Sequence, residues 1–364
     1  MQSTRFSFLM IPLAVAVVAA VVTIPASQAQ APAAVKKGTV ERIKVHGKSL
    51  EGNLEGDSPD RDVFVYLPAS YASEPGRRYP VVYFLHGYGI GAEQYWNIMT
   101  VPEAADKGAV RDMILVHPDA NTIYNGSMYS NSPTTGDWEA YVTEDLVSYI
   151  DSHYRTVADR NSRGLAGHSM GGYGTVRIGM KHPEVFSSLY AMSSCCLMNN
   201  PQPPGQGKQA APKQAPDNAK AGDGKAKGKG KGGGFANVNS AQAAAWSPNP
   251  MNPPTYFDPV VKDGEFQPGI AAKWVANSPL AMVDQYVPNL KKYKAIALDV
   301  GLQDGLITGN RDLDQSLTRL GVTHTFETYE GDHTSRIKER FESKVLPFFS
   351  QNLAFPVAGA KKGK

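Results

Sequence analysis

The chain has 364 residues, 41% of them hydrophobic, which is enough to bury a substantial core and excludes a disordered or fibrous protein. Its net charge of +3 is carried by low-complexity segments: residues 201–234 hold seven Lys and two Asp, and Arg5, Lys361, Lys362 and Lys364 add four more positive charges, leaving the rest at −6. The basic balance thus describes those segments rather than the folded surface, which counts against a nucleic-acid reading, and no nucleic-acid partner is expected.

At the N-terminus Arg5 precedes an apolar run, Phe6 to Ile24, and Pro25-Ala26-Ser27-Gln28-Ala29 presents small residues to a signal peptidase. The expectation is a Sec-type signal peptide over 1–29, cut after Ala29, and hence a periplasmic or secreted protein. The run is also close to the span of a bilayer, so an uncleaved anchor is the alternative. No second run of that length follows, and no stable membrane insertion is expected after cleavage. Residues 30–38 read as a flexible linker, 39–355 as one domain and 356–364 as a basic flexible tail.

From Gly38 to Leu67 two alternating segments (Val40, Ile43, Val45, then Val63, Val65, Leu67) flank a Gly/Asn/Asp/Pro-rich stretch, predicting an antiparallel start to a sheet. Beyond it, short apolar runs at Val81–Leu85, Met113–Val116, Gly164–Ala166, Ser188–Met192 and Ala295–Val300 alternate with helix-length segments, the pattern of βαβ units and a parallel sheet. Helices are predicted over Val142–Tyr154 and over Gly171–His182, where Pro183 stops the second. A last unit reads helix (about Arg311 to Leu320), strand (Thr323 to Tyr329) and helix (about Ser335 to Asn352). The fold class expected is α/β: a mostly parallel, doubly wound sheet with helices on both faces and antiparallel N-terminal strands.

Two features interrupt this rhythm. Cys195 and Cys196 are the only cysteines; neighbours disfavour normal disulfide geometry, so they read as small buried apolar residues, with a vicinal disulfide or unpaired thiols as alternatives. Residues 199–250 are rich in Lys, Gly, Pro and Ala, too poor in large apolar side chains to offset the entropy of ordering, and read as a low-complexity insertion.

Gly167-His168-Ser169-Met170-Gly171 fits GxSxG, with a predicted strand entering and a Gly-rich helix leaving. A nucleophile on such a sharp turn needs small neighbours, which explains Gly167 and Gly171. A serine hydroxyl also needs a base and a group to orient that base. In the chain order Ser, acid, His, the base falls on His333, directly after the last strand. Asp304, on the loop after Ala295–Val300, is the acid; Asp332 is the runner-up, with Asp299 and Asp312 behind it. Oxyanion donors are expected from the backbone N–H groups of Met170 and, in His86-Gly87-Tyr88-Gly89, of Tyr88. Asn121, Tyr129 and Trp138, on loops at the same edge, are candidate substrate-binding residues. His86 and His168 read as packed and hydrogen-bonded. No HxxxH or paired Cys/His spacing appears, so neither a catalytic metal nor another cofactor is expected.

Through Tyr83-Phe84-Leu85-His86-Gly87, Gly167 to Gly172, Gly301 to Asp304 and Gly331-Asp332-His333, the chain from about 39 to 352 resembles the esterase D branch of the α/β-hydrolases. The resemblance implies the α/β-hydrolase fold and hydrolysis of carboxylic esters through an acyl-enzyme, with Ser169, Asp304 and His333 as triad and the Tyr88 and Met170 amides as oxyanion donors. It leaves the substrate open among S-formylglutathione hydrolases, feruloyl and acetyl-xylan esterases, siderophore esterases and mycolyltransferases. Export speaks against the glutathione thioester, leaving a small-molecule or carbohydrate-linked ester as the expected partner. Two other readings use the same fold: an exported acyltransferase working through the same serine, and a non-catalytic protein fastened to envelope polymers by its basic insertion.

Overall fold

In the computed structural model β1 (Thr39–His46), β2 (Asp60–Leu67), β3 (Val81–Leu85), β4 (Ile114–Pro118), β5 (Arg163–His168), β6 (Ser188–Met192), β7 (Ala295–Gly301) and β8 (Thr325–Tyr329) form one sheet. The structure describes Met1 and residues 37–99, 110–203 and 238–356. The expected signal peptide beyond Met1, the linker up to residue 36, the insertion from 204 to 237 and the tail from 357 lie outside these. Strand order is β1-β2-β4-β3-β5-β6-β7-β8, with β1–β2 and β2–β4 antiparallel and every other pairing parallel.

Period-2 alternation sorts the strands between two cores. In β3, Val81, Tyr83 and Leu85 face one hydrophobic cluster, while Val82 and Phe84 face the other. All five are buried, as befits a central parallel strand covered on both faces. Edge strand β1 is mostly exposed and charged instead, with Arg42 and Lys44 paired to Asp62 of β2 at 2.8 and 3.0 Å.

Helix α1 (Ala92–Met99) follows β3 and packs Tyr95, Trp96 and Met99 inward. A second helical run, α2, passes from Trp138–Ala140 through one π-helical turn at Tyr141–Asp145 into Leu146–His153. Helix α3 (Met170–Lys181) leaves β5 almost wholly buried, and helix α4 (Val238–Trp246) buries Ala241 to Trp246. The last part of the 199–250 insertion is therefore ordered, correcting the expectation of a structureless stretch. Its alanines pack closely without large side chains, and Trp246 crosses Tyr173 and Trp274 at 5.6 Å each. Among the described residues no helix is long and apolar enough to cross a membrane.

Parallel strands β3, β5, β6, β7 and β8 all end on the same edge of the sheet, so the loops that leave them converge there.

Candidate active site

Ser169 sits between β5 and α3 with φ +58° and ψ −113°, a conformation rarely adopted by a residue with a side chain. The surroundings impose it. Its N–H donates to Met192 O at 3.0 Å, and its carbonyl accepts from Tyr173 N at 2.9 Å and Cys195 N at 3.1 Å. The end of β6 thus grips the turn from both sides. A Cβ at Gly171 would lie 1.9 Å from Leu85 O, so only glycine lets the helix start this close to β3.

The loops after β7 and β8 deliver the other two groups. His333 Nε2 stands 2.9 Å from Ser169 Oγ, and His333 Nδ1 is 2.8 Å from Asp304 Oδ2. A carboxylate only accepts, so Nδ1 carries the proton and Nε2 is left to accept from the serine hydroxyl. Asp304 Oδ1 takes the Leu306 amide at 2.8 Å, and the side chain is 1% exposed. Burial pulls the Asp304 pKa upward, but the His333 hydrogen bond and charge, the Leu306 amide and Ser193 outweigh it, and the carboxyl titrates below its ordinary range.

The competing carboxylates are engaged elsewhere. Asp332 accepts from the amides of Thr334 and Ser335, both at 2.9 Å, and Asp312 is exposed on the helix after β7. Asp299 is fully buried and bonded to Arg340 and the Tyr190 hydroxyl, each at 2.8 Å.

Tyr88 and Met170 come together across Gly126, where an added Cβ would lie 2.7 Å from both the Tyr88 ring and Met170 Sδ. The loop carrying Tyr88 lies against Ser169, since a Cβ at Gly87 would meet Ser169 Cβ at 3.3 Å. Met170 is the first residue of α3, whose opening amides have no acceptor within the helix.

The three candidate substrate-binding residues do not form a wall. Trp138 is 1% exposed, donates Nε1–H to Thr135 O at 2.8 Å and lies under Arg61 at 5.0 Å. Tyr129 is fully buried, and its hydroxyl donates to His86 O at 3.1 Å, bracing the loop that carries Tyr88. Both belong to the core because their rings turn inward, which loop position alone does not reveal. Asn121 stays half-buried, its amide facing Asn125 O at 3.1 Å and Gly91 N at 3.3 Å.

Other residues frame the site, among them His86, packed and hydrogen-bonded as expected. His86 Nε2 accepts from Ala120 N at 2.7 Å, which leaves Nδ1–H to donate to Gly87 O at 2.8 Å; burial lowers its pKa and keeps it neutral. Cys195 and Cys196 are partly buried free thiols with sulfurs 2.7 Å apart, beyond Ser193 and Ser194 at the end of β6. Beside the loop carrying Asp304 lies a cavity of about 820 Å³ lined by Met198, Asn199, Asn239, Gln242, Trp274 and Leu306, among others. Among the described residues no group of His, Cys, Asp or Glu is arranged to hold a metal ion.

The sheet order, the strained serine between β5 and α3 and the loops that bring His333 and Asp304 to it define an α/β-hydrolase fold. Residues 58–344 match the family described as "Putative esterase", and the chain belongs to that family. Esterase Rv1288 of Mycobacterium tuberculosis is 32% identical over 135 residues, 36% of this chain and 28% of that one. An endo-1,4-beta-xylanase/feruloyl esterase of Xylanibacter ruminicola is 31% identical over 132 residues, 34% of this chain and 18% of its own. The matched region thus spans less than a third of either relative. Among solved structures, a ferulic acid esterase superposes with a TM-score of 0.62 at 21% identity, covering 87% of this chain and 99% of that one. An S-formylglutathione hydrolase from Agrobacterium tumefaciens gives 0.55 at 15% identity, covering 87% and 96%.

Proposed function

We propose that the protein is an exported serine esterase that hydrolyses a small or sugar-linked acyl ester through an acyl-enzyme. The observation that carries this reading is the unbroken line from Ser169 Oγ through His333 to Asp304, at 2.9 and 2.8 Å. His333 Nε2 takes the hydroxyl proton as Oγ attacks the ester carbonyl, and the Tyr88 and Met170 amides receive the negative charge on the carbonyl oxygen. The imidazolium then protonates the departing alkoxide. Water, activated by the same nitrogen, releases the acid from Ser169.

Asp304 stabilises the imidazolium and keeps the ring in the tautomer whose Nε2 is free to accept. A sugar-linked substrate is supported by the cavity beside the Asp304 loop, where the described lining residues include the side-chain amides of Asn199, Asn239 and Gln242 with Trp274 and none of them is charged. Membership of the esterase family agrees with the chemistry, and the apolar run Phe6 to Ile24 before Ala29 supports export.

Purified protein is expected to hydrolyse short p-nitrophenyl esters, with activity abolished in Ser169→Ala; turnover surviving that substitution removes the proposed nucleophile. Cell fractionation tests export, and retention of the uncut chain in the cytoplasm refutes it.

A further inference from the structure

His168, the last residue of β5, precedes the nucleophile and is 1% exposed. Its Nε2 is 2.8 Å from the main-chain carbonyl of His333, and its Nδ1 is 2.6 Å from the Tyr95 hydroxyl. We propose that His168 is a positioning residue for the general base: as a neutral imidazole it holds the main chain of His333, and Tyr95 selects the tautomer in which it does so. This rests on the esterase reading above.

The direction of each bond follows from the partners. A carbonyl oxygen only accepts, so His168 Nε2 must carry a proton. In a neutral ring Nδ1 then accepts, and the Tyr95 hydroxyl donates to it. Burial, reinforced by the nearby charge of His333, pushes the His168 pKa down to about 3, so the ring stays uncharged across the range in which an imidazole base works. A second cation therefore never faces His333 when it becomes an imidazolium, although the two ring centres are only 4.8 Å apart.

The placement explains why such a hold is useful. Asp332, Thr334, Ser335 and Arg336, the neighbours of His333, are exposed, and the bonds of Asp332 to Thr334 and Ser335 are local. Upstream, Gly331 is tied to Gln303 on the neighbouring loop. His168 instead joins the His333 peptide to the strand that ends in the nucleophile, so the separation of Ser169 Oγ from His333 Nε2 is set across a single residue of chain. Asp304 orients the ring of the base; His168 fixes the backbone from which that ring swings. Tyr95 extends the link to the oxyanion loop, because its hydroxyl occupies the space a side chain at Gly87 would need, 2.4 Å from the site of its Cβ.

The test compares His168→Leu, His168→Gln and wild type on p-nitrophenyl acetate, with circular dichroism to establish folding. Leu has no donor, whereas the Gln amide retains one at a similar reach. We expect kcat to fall about 10- to 100-fold in His168→Leu with KM within about twofold, the scale of a small misplacement of reacting groups. His168→Gln is expected to recover kcat to within about fivefold of wild type. A folded His168→Leu with wild-type kcat overturns the proposal, as does a folded His168→Gln no better than Leu. Nitrogen-15 NMR of the wild-type imidazoles decides the matter without these variants: a proton on His168 Nε2 from pH 5 to 8 supports the hold, and a proton on Nδ1 alone overturns it. Failure of the esterase reading is distinguishable, because then the wild-type chain hydrolyses no ester at all.

Discussion

Replacing Asp304 with Asn tests the triad through proton positions rather than shape. Asp304 uses both oxygens, Oδ1 for the Leu306 N–H and Oδ2 for His333 Nδ1–H, each at 2.8 Å. Asn has one oxygen and one NH₂ in nearly the same volume. If the amide oxygen keeps the Leu306 bond, the NH₂ points at His333 Nδ1, and two donors cannot face each other. The imidazole relieves the conflict by moving its proton to Nε2, where it blocks the lone pair that should take the Ser169 proton. With the opposite rotamer, the NH₂ meets the Leu306 N–H and that bond is lost instead. Loss of the correct tautomer in a serine hydrolase costs about 10⁴ in kcat, which corresponds to about 5.5 kcal/mol of barrier. Steady-state hydrolysis of p-nitrophenyl acetate by Asp304→Asn, with KM and melting temperature measured alongside, is the assay. A folded variant losing less than tenfold in kcat would refute this account of Asp304.

Three further predictions concern stability. Glu139 is buried against Arg177, Lys181 and His182; burial alone would raise its pKa, but the His182 bond, the charge of Arg177 and Lys181 together hold it down to about 2. Its contribution is present above its ordinary value of 4.5 and is lost as pH falls toward 2. Glu139→Gln should destabilise by about 3–5 kcal/mol at pH 7 in urea melts, with the gap from wild type closing in acid. Glu55 behaves oppositely, since burial, and then the charge of Asp57, pushes its carboxyl up to about 9. Stability from that group is complete below pH 4.5 and lost as pH rises to 9, so Glu55→Gln should melt above wild type at pH 9 and alongside it at pH 4. Gly171→Ala places a methyl 1.9 Å from Leu85 O, a collision between backbones that no rotamer relieves. It should fail to yield folded protein, and a soluble, active variant would contradict the close approach of α3 to β3.

The sheet was legible because its central strands are continuous apolar runs with helix-length spacing between them: Val81–Leu85 and Ser188–Met192 have the same bounds in sequence and structure. Short, half-polar α1 was not, since Glu93, Gln94 and Asn97 dilute its periodicity. Ala-rich α4 escaped because close packing of small side chains carries little hydropathy signal, and its composition merges with the Lys/Gly-rich residues before it. At the site, Ser169, Asp304 and His333 were readable from their order and their positions after strands, since a shared sheet edge brings such loops together. Side-chain direction was not. Tyr129 occupies the anticipated loop and Trp138 opens a helix instead, but both point into the core, and His168 looked like a packing residue because its partner is a carbonyl 165 positions away.

The grip of β6 on the serine turn closes at Cys195, four residues before the 199–250 stretch begins. Residues 204–237 therefore enter the chain only after the turn that holds Ser169 has been closed. Exchanges made there are expected to leave the Ser169 turn intact, whereas Trp246, whose ring packs on Tyr173 of the helix leaving that turn, belongs to the core and has to stay.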